Sequence, residues 1–254
     1  KLNAFQSGGV DYITKPFQFD EVPVRLKTHL KLRSQQRQLE EHYERLQIAN
    51  KALKKSLDTL NKDEEAGRIV QFRLLPENHS DIAGYQFEYF LKPSLYMSGD
   101  FVDYIDIDDT YIIFYMADVS GHGAASAFVT FLLKTFINGA HGSYHENGDK
   151  SIISPVKLLG HLNKTLFESK LDKYLTIFYG VINKNKNTLS YANGGQFPFP
   201  FLKDDNGTSQ IICKSVPVGL FSFAKYTNCV INLPEDFTLT IFSDGILEII
   251  KEKG

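Results

Sequence analysis

Three aspartates stand where an apolar run meets glycine: Asp100 in Ser98-Gly99-Asp100, Asp118 in Asp118-Val119-Ser120-Gly121-His122-Gly123, and Asp244 in Ser243-Asp244-Gly245. Asp100 opens the strand-like run 101–107, Asp118 closes 111–117, and Asp244 closes 237–242. A strand that ends beside glycine lets a hard metal ion reach the backbone as well as the carboxylate. Three such ends in one domain point to an oxygen-ligand site for magnesium or manganese. Ordinary strand-end turns are the plainer alternative, since Asp and Gly are common turn residues. That alternative suits Asp244 alone better than it suits the three together.

The spacing bears on the first pair. Asp108-Asp109 is a turn signal between two apolar runs, and Thr110 completes a three-residue loop. If Ile107 pairs with Tyr111 around that loop, paired residue numbers sum to 218 and Asp100 lies opposite Asp118. Their Cβ atoms would then be roughly 5 Å apart. Two carboxylates that close repel unless a cation lies between them.

The same residues carry a family resemblance. Ser-Gly-Asp-Phe, Asp-Val-Ser-Gly-His-Gly-Ala-Ala, Asn193-Gly194-Gly195-Gln196-Phe197-Pro198 and Phe242-Ser243-Asp244-Gly245-Ile246-Leu247-Glu248 resemble, in order and spacing, the SpoIIE-like branch of the metal-dependent (type 2C, PPM) protein serine/threonine phosphatases. The resemblance runs from about Ile69 to the end of the chain. Two stretches depart from it: Ser98 replaces a glycine, and Gly194-Gly195-Gln196 replaces Ala-Gly-His. The resemblance implies two Mg²⁺ or Mn²⁺ ions. Asp118 would bridge them, with the Val119 carbonyl and Asp100 completing one ion and Asp244 holding the other. His122 would be the proton donor to the leaving oxygen or, equally, a structural member of its turn. A further metal-binding aspartate is implied beyond Gly254.

A second resemblance lies at the N-terminus. Gly9-Val10-Asp11-Tyr12-Ile13-Thr14-Lys15-Pro16-Phe17, followed by Phe19-Asp20-Glu21-Val22, looks like the end of a bacterial response-regulator receiver domain. The resemblance gives Lys15 the contact to a phosphorylated aspartate, itself expected upstream of Lys1, and implies an upstream histidine kinase.

Between the two lies a run, 20–65, without glycine and, after Pro23, without proline. Leu32, Leu39, Leu46, Leu53 and Leu60 recur every seventh residue, with Asn50 at the partner heptad position. That pattern predicts one long helix pairing in a parallel two-stranded coiled coil, hence a homodimer. A single helix packed on its own domain is the alternative. Gly67 is expected to relax the helix. The resulting division is 1–32 receiver tail, 20–66 coiled-coil linker and 67–254 phosphatase domain.

Elsewhere the pattern is α+β. Helices are expected over 123–138 and from Ser154 onward with Pro155 in the first turn. Strands are expected at 175–182, 188–192, 198–202, 210–213 and 237–242, and an exposed loop at 141–150. The family fold would be two stacked antiparallel β-sheets flanked by helices. A formal net charge of −2 gives no reason to expect nucleic acid. Cys213 and Cys229 read as packing residues rather than a disulfide or metal site. No apolar stretch is long enough for a membrane span, and cytoplasm is the expected compartment. Two functions follow. One is a response regulator whose output is a phosphatase acting on a phosphoprotein, with an anti-sigma-factor antagonist suggested by family analogy. The other is a catalytically inactive adaptor that binds a signalling partner under receiver control.

Overall fold

The computed structural model describes residues 19–92 and 97–247, together with 8, 13 and 16. Lys15 and Glu248 lie outside the described residues, as does most of the receiver-like segment. The chain divides into two compact units, residues 1–61 and 62–254.

Helix α1 (Glu21–Phe72) is longer than expected at its C-terminal end. Gly67 does not relax it. A Cβ there would come 2.8 Å from Met97 Sδ, so glycine serves a close approach rather than a break. Along the first unit the helix surface carries i,i+4 pairs such as Arg25–Glu21 and Arg37–Glu41. The five heptad leucines are between 54% and 70% exposed in the single chain.

In the second unit the main sheet has five strands, antiparallel throughout, each paired with the next. In sheet order they are β3 (Asp100–Asp106), β4 (Tyr111–Val119), β5 (Leu175–Asn183), β6 (Thr188–Gly194) and β9 (Cys229–Asn232). Smaller antiparallel sheets are formed by β1 (Ser80–Ile82) with β2 (Tyr85–Phe87), and by β7 (Phe201–Asp204) with β8 (Gly207–Gln210) and β10 (Thr238–Thr240). Helices α2 (Ala124–Asn147) and α3 (Pro155–Ser169) complete the unit.

Side chains alternate between two cores. Ile113, Tyr115, Ala117 and Val119 join Leu133, Ile137, Leu158 and Leu162 of the helices. Ile112 and Phe114 face the other way, toward Phe87, Leu202 and Leu239 of the small sheets. Both faces of β4 and β5 are therefore covered, which explains their continuous apolar sequence. Within the first core Asp103 is 1% exposed and pairs with Lys134 at 2.6 Å, pinning β3 to α2.

Two further expectations are corrected. Residues 141–147 continue α2 instead of forming a loop. Gly139 and Gly142 each cost helix stability, but the buried Ile137 and half-buried Tyr144 hold the helix to the sheet. It ends at Gly148 in left-handed backbone (φ 67), whose N–H donates to the Tyr144 carbonyl at 3.2 Å. Cys213 and Cys229 are joined as a disulfide across 16 residues, because β9 lies beside the 211–213 segment in the second core. The β1–β2 hairpin and β9 have no counterpart in the expected elements. Among the described residues no helix is long and apolar enough to cross a membrane.

Candidate metal centre

The β3–β4 hairpin sets the site. Asp108 Oδ1 accepts the N–H groups of Thr110 and Tyr111, both at 2.8 Å, closing the turn. The Ile107 N–H donates to the Tyr111 carbonyl at 3.0 Å, and from there the strands pair in the expected register. Asp100 lies directly opposite Asp118.

Asp100 is held from several sides. Its N–H donates to Ser98 Oγ at 3.0 Å, and Ser243 Oγ donates to its Oδ2 at 3.3 Å. Its other oxygen, Oδ1, is buried and has no hydrogen-bond partner among the described residues. Burial raises its pKa above the ordinary carboxylate value; the Ser243 hydroxyl opposes that rise and the charge of Asp244 adds to it.

Gly99 brings the two strand ends into contact. A Cβ built there would sit 2.7 Å from the Val119 carbonyl oxygen and 3.2 Å from Asp118 Oδ1. Only glycine allows this approach, and it leaves carboxylate and carbonyl oxygens facing the same narrow space. The turn that follows has positive φ at Gly121 (81°) and Gly123 (78°), after which α2 begins. The Ser120 carbonyl accepts hydrogen bonds from Ser126 Oγ at 3.2 Å and Lys173 Nζ at 2.8 Å. His122 is exposed on this turn.

Asp244 is exposed and opens a single 3₁₀ turn, Asp244–Ile246. It reaches the pair through its neighbour Ser243 and through its charge on Asp100. Among the described residues no three His, Cys, Asp or Glu side chains stand close enough to hold one ion together. The structure sets Asp100 opposite Asp118, in the register expected from the turn, but leaves Asp244 outside a three-carboxylate cluster, where the sequence pattern had all three strand ends in one site. The donors fit a hard divalent ion nonetheless. They are oxygens only, one of them is an orphaned buried carboxylate oxygen, and a carbonyl flanks them.

The fold of the domain is confirmed by likeness to known proteins. The profile of the family described as Stage II sporulation protein E (SpoIIE) matches residues 108–254. The chain belongs to the SpoIIE family. Among curated relatives of this SpoIIE-family chain, the phosphoserine phosphatase RsbP of Bacillus subtilis (strain 168) is 27% identical over 169 residues, 64% of this chain and 40% of that protein. The phosphoserine phosphatase RsbU of the same organism is 30% identical over 165 residues, 64% of this chain and 46% of that protein. The chain spans less than half the length of either relative. Among solved structures, the SiaA-PP2C domain of Pseudomonas aeruginosa superposes with a TM-score of 0.61 at 18% identity, covering 76% of this chain and 74% of that one. The shared fold is the PP2C-like α+β arrangement of antiparallel sheets and helices.

Several further residues support the Asp100–Asp118 pair; Gln71 and Thr176 carry no signal in the sequence, whereas Asn193 and Gln196 lie in a stretch that resembles the family. Gln71, 6% exposed near the end of α1, bonds both backbone groups of Ser98 and donates to Thr130 Oγ1 of α2 at 3.0 Å. Gln196, standing in place of the family's histidine, donates from Nε2 to the Phe242 carbonyl at 2.5 Å and accepts from Thr176 Oγ1 at 3.2 Å. Thr176 is the β5 partner of Asp118. Asn193 fixes Gln196 by two bonds to its backbone, at 2.6 and 3.0 Å. A neutral amide here links the strand ends of Asp118 and Asp244.

Proposed function

We propose that this chain is a metal-dependent protein phosphatase that hydrolyses phosphoserine or phosphothreonine on a partner protein. The observation that carries the reading is the Asp100–Asp118 pair, with Asp100 Oδ1 buried and unpartnered among the described residues and the Val119 carbonyl alongside Asp118. The names of its SpoIIE-family relatives support the same reaction class.

Asp118, Asp100 and the Val119 carbonyl would hold one Mg²⁺ or Mn²⁺, and Asp118 with Asp244 a second. Such ions acidify a water at neutral pH and neutralise phosphoryl oxygens. The protein's own part is positional. Gly99 brings Val119 and Asp118 together, Ser98 and Ser243 orient Asp100, and Gln196 steadies the Phe242–Asp244 segment. His122, exposed on the glycine turn, is the candidate donor of a proton to the serine or threonine oxygen that leaves.

The wider role in this proposal is a response regulator. Residues 1–32 would be the tail of a receiver answering to a histidine kinase, with Lys15 reading the phosphorylated aspartate. Residues 20–66 would pair two chains as a coiled coil, and residues 67–254 would be the phosphatase output. An anti-sigma-factor antagonist is the substrate that family analogy suggests.

The deciding experiment is Mn²⁺-dependent release of phosphate from an aryl phosphate and from a phosphoserine peptide by the full-length protein. Release that chelation abolishes is the expected result. No release with either substrate, at any Mn²⁺ concentration, would leave the adaptor reading in its place.

A further inference from the structure

Lys173 is a cation that the reading above leaves without a task. It lies in the connection between α3 and β5, where Lys170 and Asp172 both adopt left-handed backbone (φ 54 and 49). Lys170 is the left-handed cap that ends α3, whereas Asp172 is held in that region at a cost by its surroundings, next to Lys173. The Lys173 ammonium donates to the Ser120 carbonyl at 2.8 Å. A Cβ on Gly121 would lie 2.7 Å from the same nitrogen, so the ammonium rests directly on the glycine turn. Two backbone contacts fix it there. The Ser120 N–H donates to the Tyr174 carbonyl at 2.9 Å, and the Tyr174 N–H donates to Ser120 Oγ at 3.2 Å. Ser120 stands midway between Asp118 and His122 in sequence.

The other partly buried lysines at the sheet have counter-ions. Lys134 pairs with Asp103 at 2.6 Å and Lys184 with Asp106 at 2.9 Å. Among the described residues no carboxylate pairs with Lys173, and only one of the three donors of its ammonium is taken. A half-buried positive charge beside the site, held by a neutral carbonyl, is suited to meet an anion that arrives from outside. Its surroundings say what kind. Leu171 and Tyr174 flank it, 47% and 38% exposed. Leu220 and Phe221, 39% and 37% exposed, follow Gly219, where an added Cβ would lie 3.4 Å from the Lys173 carbonyl. Exposed apolar side chains on the segments that adjoin the cation's backbone fit a phosphate carried on a polypeptide better than a small free phosphomonoester.

We propose that Lys173 is a substrate-binding residue, its ammonium taking a phosphoryl oxygen of the phosphoserine or phosphothreonine while those apolar side chains receive the neighbouring residues of the partner. The proposal rests on the phosphatase reading. The competing role is a brace, in which Lys173 does no more than tie the glycine turn to β5.

Lys173→Gln separates the two, because it keeps an N–H donor on a stem one bond shorter but carries no charge. With the full-length chain and Mn²⁺, KM for a phosphoserine peptide and the inhibition constant of inorganic phosphate should both rise by about ten-fold or more. The Mn²⁺ half-saturation and kcat should stay within about two-fold. Lys173→Arg should recover most of the affinity. An unchanged inhibition constant, or an increased Mn²⁺ requirement in its place, would make Lys173 a brace and overturn the proposal. The unmodified protein supplies a second readout that needs no variant to fold. In magnesium buffer, inorganic phosphate should slow acylation of Lys173 by acetic anhydride, read by mass spectrometry, while Lys184 is unaffected. Equal labelling with and without phosphate would also overturn it. Protected Lys173 in a protein that hydrolyses nothing would remove the catalytic reading and keep the anion site.

Discussion

Gln71 and Ser98 exchange two hydrogen bonds: Gln71 Nε2 donates to the Ser98 carbonyl at 2.7 Å, and the Ser98 N–H donates to Gln71 Oε1 at 3.0 Å. A side-chain amide here does what a neighbouring strand would do for a backbone, two residues before Asp100. Both residues are 6% exposed, so the bonds have no water to replace them. Gln71→Leu leaves the two backbone groups of Ser98 unpaired and should cost about 2–4 kcal/mol in urea unfolding. Gln71→Glu should be no better, since it sets a carboxylate against the Ser98 carbonyl. A variant as stable as the parent would show that Ser98 has other partners.

Asp118→Ala is expected to abolish hydrolysis while leaving the melting temperature nearly unchanged. It removes the carboxylate assigned to both ions, and a site aspartate contributes little to packing. Asp100→Asn should be milder, because one oxygen ligand survives, and excess Mn²⁺ should restore part of the rate. Equal activity in Asp118→Ala and the parent would sink the site assignment.

The exposed leucines of α1 give a third expectation. Changing Leu46 and Leu53 to glutamate should turn a dimer into a monomer in sedimentation experiments, because heptad leucines carry most of the apolar surface such a pair buries. A parent chain that already sediments as a monomer at high concentration would end the coiled-coil reading.

Acid stability should depend on Asp108. Burial pushes its pKa up, but the Tyr144 hydroxyl at 2.6 Å and the two turn N–H groups outweigh it, leaving the carboxyl below its ordinary 3.8. A depressed pKa gives stability that is present above the unfolded value and is lost as pH falls through the folded value. Tyr144→Phe should therefore cost about 1 kcal/mol at pH 7, allowing for the partial exposure of the pair, and progressively less under acid. A cost that stays constant from pH 7 down to strongly acidic solution would mean that the phenol matters for packing and not for charge.

How much of this was legible beforehand depended on the range of the interaction. The facing of Asp100 and Asp118 followed from a local turn, since Asp108 and Thr110 set the pairing of every residue after them. The full length of α2 did not, because Gly139 and Gly142 weaken the helical pattern while the packing that overrides them comes from distant strands. The Cys213–Cys229 bond joins segments whose adjacency exists only in the folded second core. Gln71 and Lys173 look like ordinary surface residues in sequence; their partners are 27 and 53 residues away. Local chemistry announces the carboxylates, and tertiary contacts decide what holds them.

The three-residue turn after Ile107 also restricts how this gene can change. Asp100 lies seven residues before Ile107, roughly 23 Å along an extended strand. Loop tips that far from a reaction centre usually accept inserted or deleted residues freely. Here a single added residue that moved the strands by one step would turn the alternating side chains to the wrong faces and part the two carboxylates. Lineages of this protein should accumulate length variation elsewhere, such as the Asp204–Gly207 hairpin, and keep the 108–110 turn constant in length even as its residues drift.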